Sequence, residues 1–259
     1  LLYDQISKNY FIRSFFIYIL GEFVLYFFQR QLTYFPDVSD FYTCPAFSDA
    51  EKITQGNTRT YLIMKDPEKL VVFYHGNAVS ACSTGYIRDV IDSSGASVLI
   101  PEYSGYAGDG KKPSKDAILK NVYEVTEYLK THKYTSIVVV GKSLGTGFAS
   151  YHASLLKPEK LALISPFSSM KDVARTRFWM YPMIPVSEKY DSVQYLRGYT
   201  GSLLIIHGDS DDVVPPVLSQ KLLDAVPSLN KNRLLIPGGE HEYIWSSPGV
   251  RGFVTDFIR

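Results

Sequence analysis

The chain of 259 residues carries 27 Lys and Arg against 26 Asp and Glu, for a formal net charge of +1. That length suits one large α/β domain with a substantial buried core, and the near-neutral charge, with no Lys/Arg run interleaved with aromatics, argues against a nucleic-acid groove. Cys44 and Cys82 are too few for a disulfide framework and lack zinc spacing with histidine, so they read as buried thiols, a single bridge being the alternative.

The chain opens, without Met, on an aromatic and apolar stretch. "FIRSFFIYILGEFVLYFF" is nearly long enough to span a bilayer, although Arg13, Gly21 and Glu22 interrupt it. It reads first as a membrane anchor or membrane-lying helix and second as a helix docked on the domain or on another copy. A cleaved signal peptide fits least, because no basic start and small-residue cleavage site frame it. The expected organisation is an apolar helix over residues 1–30 and one α/β domain over 31–259. "VSDFYTCPAFSDAEK" reads as a surface connection between them. "RTYLIMK", after the turn candidate "TQGN", reads as an antiparallel edge strand.

From Leu70 onward one theme repeats: a short apolar, β-branched run, a polar or glycine-bearing turn, then a helix-length connection. The runs are "LVVFYHG", "SVLIPEY", "SIVVVG", "LALISP", "LLIIHG" and "RLLIPG". Such a series predicts a mostly parallel sheet with helices on both faces. "SKDAILKNVYEVTEYLK" is the clearest helix, with Ile118, Leu119, Val122, Val125 and Leu129 at helical intervals and Pro113 and Ser114 at its start. In open sheets of this kind, ligands sit outside the carboxyl ends of the strands, where the chemistry-bearing residues below all fall.

"GKSLG" follows the run "SIVVV", placing Ser143 between a strand and the helix "LGTGFASYHASLL". A G-x-S-x-G match arises by chance with odds on the order of one in ten, so the context must carry it. A serine at a tight strand-to-helix turn has a strained backbone and an exposed hydroxyl, and the start of the helix turns the amide of Leu144 toward a developing oxyanion. The hydroxyl needs a base. His132 and His152 lie on helices, and His75 and His207 precede glycines at strand ends, where an imidazole more often fixes a turn. His241, in "IPGGEHEYIW" after the final strand, is the candidate base. "IIHGDSDDVVP" offers Asp209, Asp211 and Asp212 as the acid that orients it. The chain order Ser, Asp, His is that of the α/β-hydrolases. A second oxyanion donor is expected from "HGNA", through the amide of Asn77 or Ala78.

"HGNA", "GKSLGTG", "SPFSSM", "YPMIPVSEKYDSVQYL", "IIHGDSDDVVP" and "GGEHE" together resemble the Bem46-like branch of the α/β-hydrolase superfamily, the ABHD13- and ABHD17-type serine hydrolases, from about Gln29 to the C-terminus. The resemblance implies Asp211 as the acid. It departs in "PEYSGYAGDG", where Glu102 and Ser104 stand in place of an aspartate and an arginine. The fold implied is an α/β-hydrolase with a short cap insertion at about 169–190. Phe178, Trp179, Met180, Tyr181 and Met183 are its candidate acyl-pocket residues, with an ordinary sheet-packing helix as the competing reading. The chemistry implied is two-step acyl transfer to water from an apolar ester or thioester, a lipid or an acylated protein, at a membrane surface, with no metal and no organic cofactor. A peptidase of the same fold and a non-catalytic membrane-associated scaffold are the alternatives.

Overall fold

A computed structural model describes residues 2–181 and 185–259, with side chains described from Tyr10 onward. The chain begins with a 26-residue helix, α1 (Leu2–Phe27), followed by a short one, α2 (Gln29–Thr33). Tyr10–Phe27 of α1 has a mean hydropathy of 1.5, and none of it is buried in the protein. Its length and apolar character are enough to cross a bilayer.

A hairpin of β1 (Glu51–Gln55) and β2 (Thr58–Ile63) turns at Gly56 and Asn57. Six further strands follow: β3 (Lys69–Tyr74), β4 (Ser97–Pro101), β5 (Ser136–Lys142), β6 (Lys160–Ile164), β7 (Ser202–Gly208) and β8 (Lys231–Ile236). They form one sheet in the order β1-β2-β4-β3-β5-β6-β7-β8. The pairs β1–β2 and β2–β4 are antiparallel and the rest parallel. The mostly parallel α/β sheet expected from the apolar runs is present. β2 is not the edge, however: Glu51 and Lys52, assigned by sequence to the connection, begin the strand outside it.

Successive strand side chains point to opposite faces, which sorts the apolar runs into two cores. Leu70, Val72 and Tyr74 join one cluster with residues of α4 (Lys115–Lys130), α5 (Leu144–Leu156), α7 (Ser192–Leu196) and α8 (Pro216–Ala225). Val71 and Phe73 join the other, against α3 (Arg88–Ser94) and α9 (Val250–Ile258). α4 starts where the sequence placed it, with the Ser114 hydroxyl accepting the Ala117 amide at 3.3 Å. α6 (Met170–Arg177) buries none of its residues fully; Met170 and Val173 pack on the edge of the first core, and both line the cavity at the carboxyl ends of the strands.

The connection between α2 and β1 is packed, not a surface linker. Phe41 and Phe47 are fully covered, and their rings stack on Tyr61 with centroids 4.3 and 5.3 Å apart. This packing brings Cys44 within 5.6 Å (Cα–Cα) of Cys82, and the two form a disulfide. The thiol reading of both cysteines is therefore corrected, because the buried phenylalanines fold the connection onto the loop after β3. The bridge closes a sequence separation of 38 residues. By restricting the unfolded chain it stabilises the fold by about 2–4 kcal/mol. Urea unfolding of Cys44→Ser is expected to show a loss of that size; an unchanged midpoint would contradict it.

Candidate active site

β5 stops at Lys142, Ser143 takes φ 52° and ψ −121°, and α5 begins at Leu144. A non-glycine residue held there stores on the order of 1–3 kcal/mol of backbone strain. The turn closes because its glycines lack side chains. A Cβ on Gly145 would lie 2.3 Å from the Tyr74 carbonyl oxygen, and one on Gly141 would lie 2.6 Å from the Gly145 oxygen. The tight turn is tied down by the Ser143 amide, which donates to the Ile164 carbonyl at 2.9 Å.

The Ser143 Oγ lies 2.8 Å from Nε2 of His241, whose Nδ1 lies 2.8 Å from Oδ2 of Asp211. With the proton on Nδ1 donated to the carboxylate, Nε2 is free to accept from the hydroxyl. Asp211 is held in turn, its Oδ1 accepting the amides of Val213 at 3.0 Å and Val214 at 2.7 Å. His207 Nε2 reaches the same carboxylate at 3.2 Å and the Val214 carbonyl at 2.8 Å. Burial pushes the Asp211 pKa up, but the hydrogen bonds from His207 and His241 outweigh it and hold the carboxyl well below its ordinary 3.8. Its ionised form therefore supports the fold throughout neutral pH, a contribution lost only as pH falls from about 4 toward the depressed value.

The other sequence candidates separate cleanly. Asp209 caps a turn, its Oδ1 accepting the Gly238 amide at 2.7 Å, and among the described residues only the Asp212 backbone is engaged, its carbonyl taking a bond from Arg177 at 2.7 Å. Neither reaches His241. His75 pairs with Glu102 at 3.2 Å, inside the fold. His152 Nδ1 shares a 2.8 Å hydrogen bond with the Tyr74 hydroxyl, and burial lowers the pKa of the ring to about 3, so it stays neutral. His132 lies exposed at the end of α4. Glu102, where the resembling family has aspartate, also accepts the Ala81 amide at 2.9 Å and so shapes the loop after β3.

A cavity of about 570 Å³ opens over Ser143 and His241, and its lining includes Gly76, Asn77, Ala78 and Leu144. That volume is in the range of small-molecule sites. Leu144 occupies the first turn of α5, where amides lack intrahelical partners. Among the described residues, neither the Asn77 nor the Ala78 amide donates a hydrogen bond to protein. Met170, Val173, Ala174 and Phe178, from α6 and its end, form an apolar wall. Phe178 lines the cavity. Trp179 and Met180 do not: they are 74% and 61% exposed, because α6 ends at Arg177 and the chain turns outward. Tyr181 stacks instead on Tyr18 of α1 at 5.2 Å. Met183 lies outside the described residues. A larger polar groove, about 1030 Å³, lies between α6 and α7 and contains none of the three hydrogen-bonded residues. Among the described residues no group of three or more His, Cys, Asp or Glu could hold a metal ion.

Three residues, Lys142, Arg177 and Glu188, and the side-chain role of Asn77 escaped the sequence reading. Lys142 lines the cavity beside Ser143, and burial pushes its ammonium pKa down, against the opposing pull of Glu242 and Asp211. Arg177 ties the end of α6 to the acid-bearing loop. The Asn77 side chain donates to the Thr33 carbonyl at 2.7 Å and accepts the Phe35 amide at 3.0 Å, pinning the oxyanion-loop candidate to the segment after α2. Glu188 accepts from Tyr34 at 2.6 Å, Arg30 at 3.1 Å and the Lys115 amide at 2.7 Å. Lys142, Asn77 and Glu188 lie inside the motifs "GKSLGTG", "HGNA" and "YPMIPVSEKYDSVQYL", whereas Arg177 carried no positional signal.

Solved structures decide the architecture. The Pyrococcus furiosus esterase Pf2001 matches with a TM-score of 0.68 at 19% identity, covering 86% of this chain and 95% of that one. Est1E from Butyrivibrio proteoclasticus, solved with ferulic acid bound, matches with a TM-score of 0.63 at 21% identity, over 81% of this chain and 96% of that one. The fold is that of the α/β-hydrolases. No protein-family model matches. Among curated proteins, an uncharacterized protein of Mycobacterium tuberculosis is 29% identical over 229 residues, 82% of this chain and 80% of that protein. Lysophosphatidylserine lipase ABHD12 of Xenopus tropicalis is 27% identical over 220 residues, which is 73% of this chain and 57% of that lipase. This chain therefore matches little more than half of ABHD12.

Within this α/β-hydrolase fold, Gly145 is the more tightly enclosed of the two glycines flanking Ser143. Gly145→Ala is expected to lower stability by about 1–3 kcal/mol through overpacking against the Tyr74 carbonyl. Chemical denaturation checks this, and a wild-type midpoint would show that the contact relaxes without cost.

Proposed function

We propose that this chain is a serine ester hydrolase acting on apolar acyl groups at a membrane surface. The observation that carries the reading is the pair of 2.8 Å contacts joining Ser143 Oγ, His241 and Asp211. In the proposed reaction His241 Nε2 takes the hydroxyl proton as Ser143 Oγ attacks the ester carbonyl, and Asp211 stabilises the imidazolium. The amides of Leu144 and of Asn77 or Ala78 receive the tetrahedral oxyanion. The C–O bond then breaks, and the imidazolium returns its proton to the departing alcohol, leaving an acyl-enzyme. Water, deprotonated by the same imidazole, attacks that ester and releases the carboxylic acid and free Ser143.

Supporting the substrate class are the apolar wall from α6 and the similarity to lysophosphatidylserine lipase ABHD12 and to solved esterases. A thioester would react by the same steps; the names of these relatives favour the oxygen ester. The motif set around Gly76, Ser143, Asp211 and His241 supports a place in the Bem46-like branch. Membrane association rests on the exposed, apolar α1.

A fluorophosphonate probe is expected to label the wild type on Ser143 and to leave Ser143→Ala unlabelled. Asp211→Asn is expected to retain the fold while kcat for ester hydrolysis falls by a factor on the order of 10⁴, since His241 loses its orienting partner. Absence of labelling in folded wild type would overturn the hydrolase reading in favour of a scaffold. In a flotation assay the full chain is expected to rise with phospholipid vesicles; recovery at the bottom of the gradient would contradict membrane association.

A further inference from the structure

α1 does more than lie beside the domain. Its Ile17, Leu20, Val24 and Leu25 face Phe178 and Tyr181 across an apolar groove of about 460 Å³. Two of these residues, Leu25 and Phe178, also line the cavity over Ser143. The two spaces therefore share one pair of apolar side chains in their walls. The Tyr18–Tyr181 stack, with rings inclined by 18°, holds the helix against the end of α6 and defines the seam. Gly21 lets Tyr181 approach: a Cβ there would lie 2.7 Å from the tyrosine oxygen.

Polarity is distributed unevenly between the two spaces. The charged residues of the cavity, Lys142, Arg177 and Glu242, come from β5, α6 and the loop after His241, whereas none of the groove residues is charged. The groove borders Tyr10–Phe27, a stretch with no fully buried residue and with most of its apolar side chains exposed, a surface that hydrocarbon would cover favourably. Apolar walls running from the exposed helix, by way of Leu25 and Phe178, to the cavity over Ser143 suit one occupant in particular, a flexible hydrocarbon chain whose polar end lies at the charged side of the cavity.

We propose that the seam between α1 and Phe178–Tyr181 is the acyl-chain site of a membrane-lipid substrate, through which the chain passes laterally from the bilayer to Ser143. The proposal rests on the ester-hydrolase reading and adds to it a path and a set of chain-length determinants. Val24 is such a determinant, because it lines the groove without lining the cavity over Ser143. Phe16 provides a matched control: it is 66% exposed on α1 and lines neither space.

The test uses the full chain reconstituted in phosphatidylcholine vesicles, with 4-methylumbelliferyl palmitate and butyrate as substrates. Val24→Trp is expected to lower the palmitate-to-butyrate ratio of kcat/KM by about tenfold, and Phe16→Trp to leave that ratio as in wild type. An unchanged ratio in Val24→Trp, or an equal fall in both variants, overturns the path. A hexadecyl fluorophosphonate bearing a terminal diazirine supplies a readout on unsubstituted protein. After reaction at Ser143 and illumination, its chain end is expected to crosslink to the α1 peptide spanning Ile17–Leu25 or to Tyr181. Crosslinks confined to other parts of the domain, or running only between two copies, overturn it as well. Wild type that hydrolyses neither ester refutes the underlying hydrolase reading and the path with it; butyrate hydrolysis with an unaltered ratio refutes the path alone.

Discussion

The strained backbone of Ser143 is the constraint on which the site depends. At φ 52° the residue has left the strand but not yet entered the helix, and its hydroxyl is presented beyond the carboxyl edge of the sheet. No local preference of serine favours this geometry. It persists because β5 is paired on both sides, by β3 and β6, and because α5 is pressed against β3 through the bare Cα of Gly145. The surrounding core over-determines the turn, and the stored strain is small beside the burial that enforces it. The same pairing brings the loops after β7 and β8 alongside, so Asp211 and His241 arrive from separate strands with their hydrogen bonds already directed.

A second layer of contacts links this edge to the N-terminal helix. The Asn77 side chain holds the loop after β3 to Thr33 and Phe35, and Glu188 gathers Arg30, Tyr34 and the start of α4 around one buried carboxylate. The Cys44–Cys82 bridge fixes the other end of the same loop. The segment following α1 is thereby built into the walls of the cavity rather than tethered loosely to the domain. Where α1 lies in a bilayer, the mouth of the site is held at a fixed place relative to lipid.

Much of the architecture was legible because its signals are local and repeated. Six apolar runs ending in glycine or a polar turn specify a parallel sheet, and Ser114 marks the start of α4 by a cap that the structure contains. The elbow was legible because close packing there tolerates only glycine on either side of the serine. What stayed hidden depends on long-range packing. Phe41 and Phe47 look like surface aromatics until the Tyr61 ring between them is known, and the pairing of Cys44 with Cys82 follows from that same burial. Sequence also had no means of separating Phe178, which faces the cavity, from Trp179 and Met180, which face outward, since the choice turns on where α6 ends. Asp211 differed from Asp209 and Asp212 only through resemblance; in space the three differ because the amides of Val213 and Val214 hold one carboxylate toward His241.

The central claim is that Ser143 carries the acyl group between two half-reactions. Rapid mixing of the full chain with 4-nitrophenyl octanoate, with acid quenching during turnover and peptide mass analysis, tests it most directly. The account predicts a burst of nitrophenol equal to the enzyme concentration and an octanoyl adduct on the peptide containing Ser143. Turnover with neither burst nor adduct, and surviving at the wild-type rate in Ser143→Gly, would contradict it.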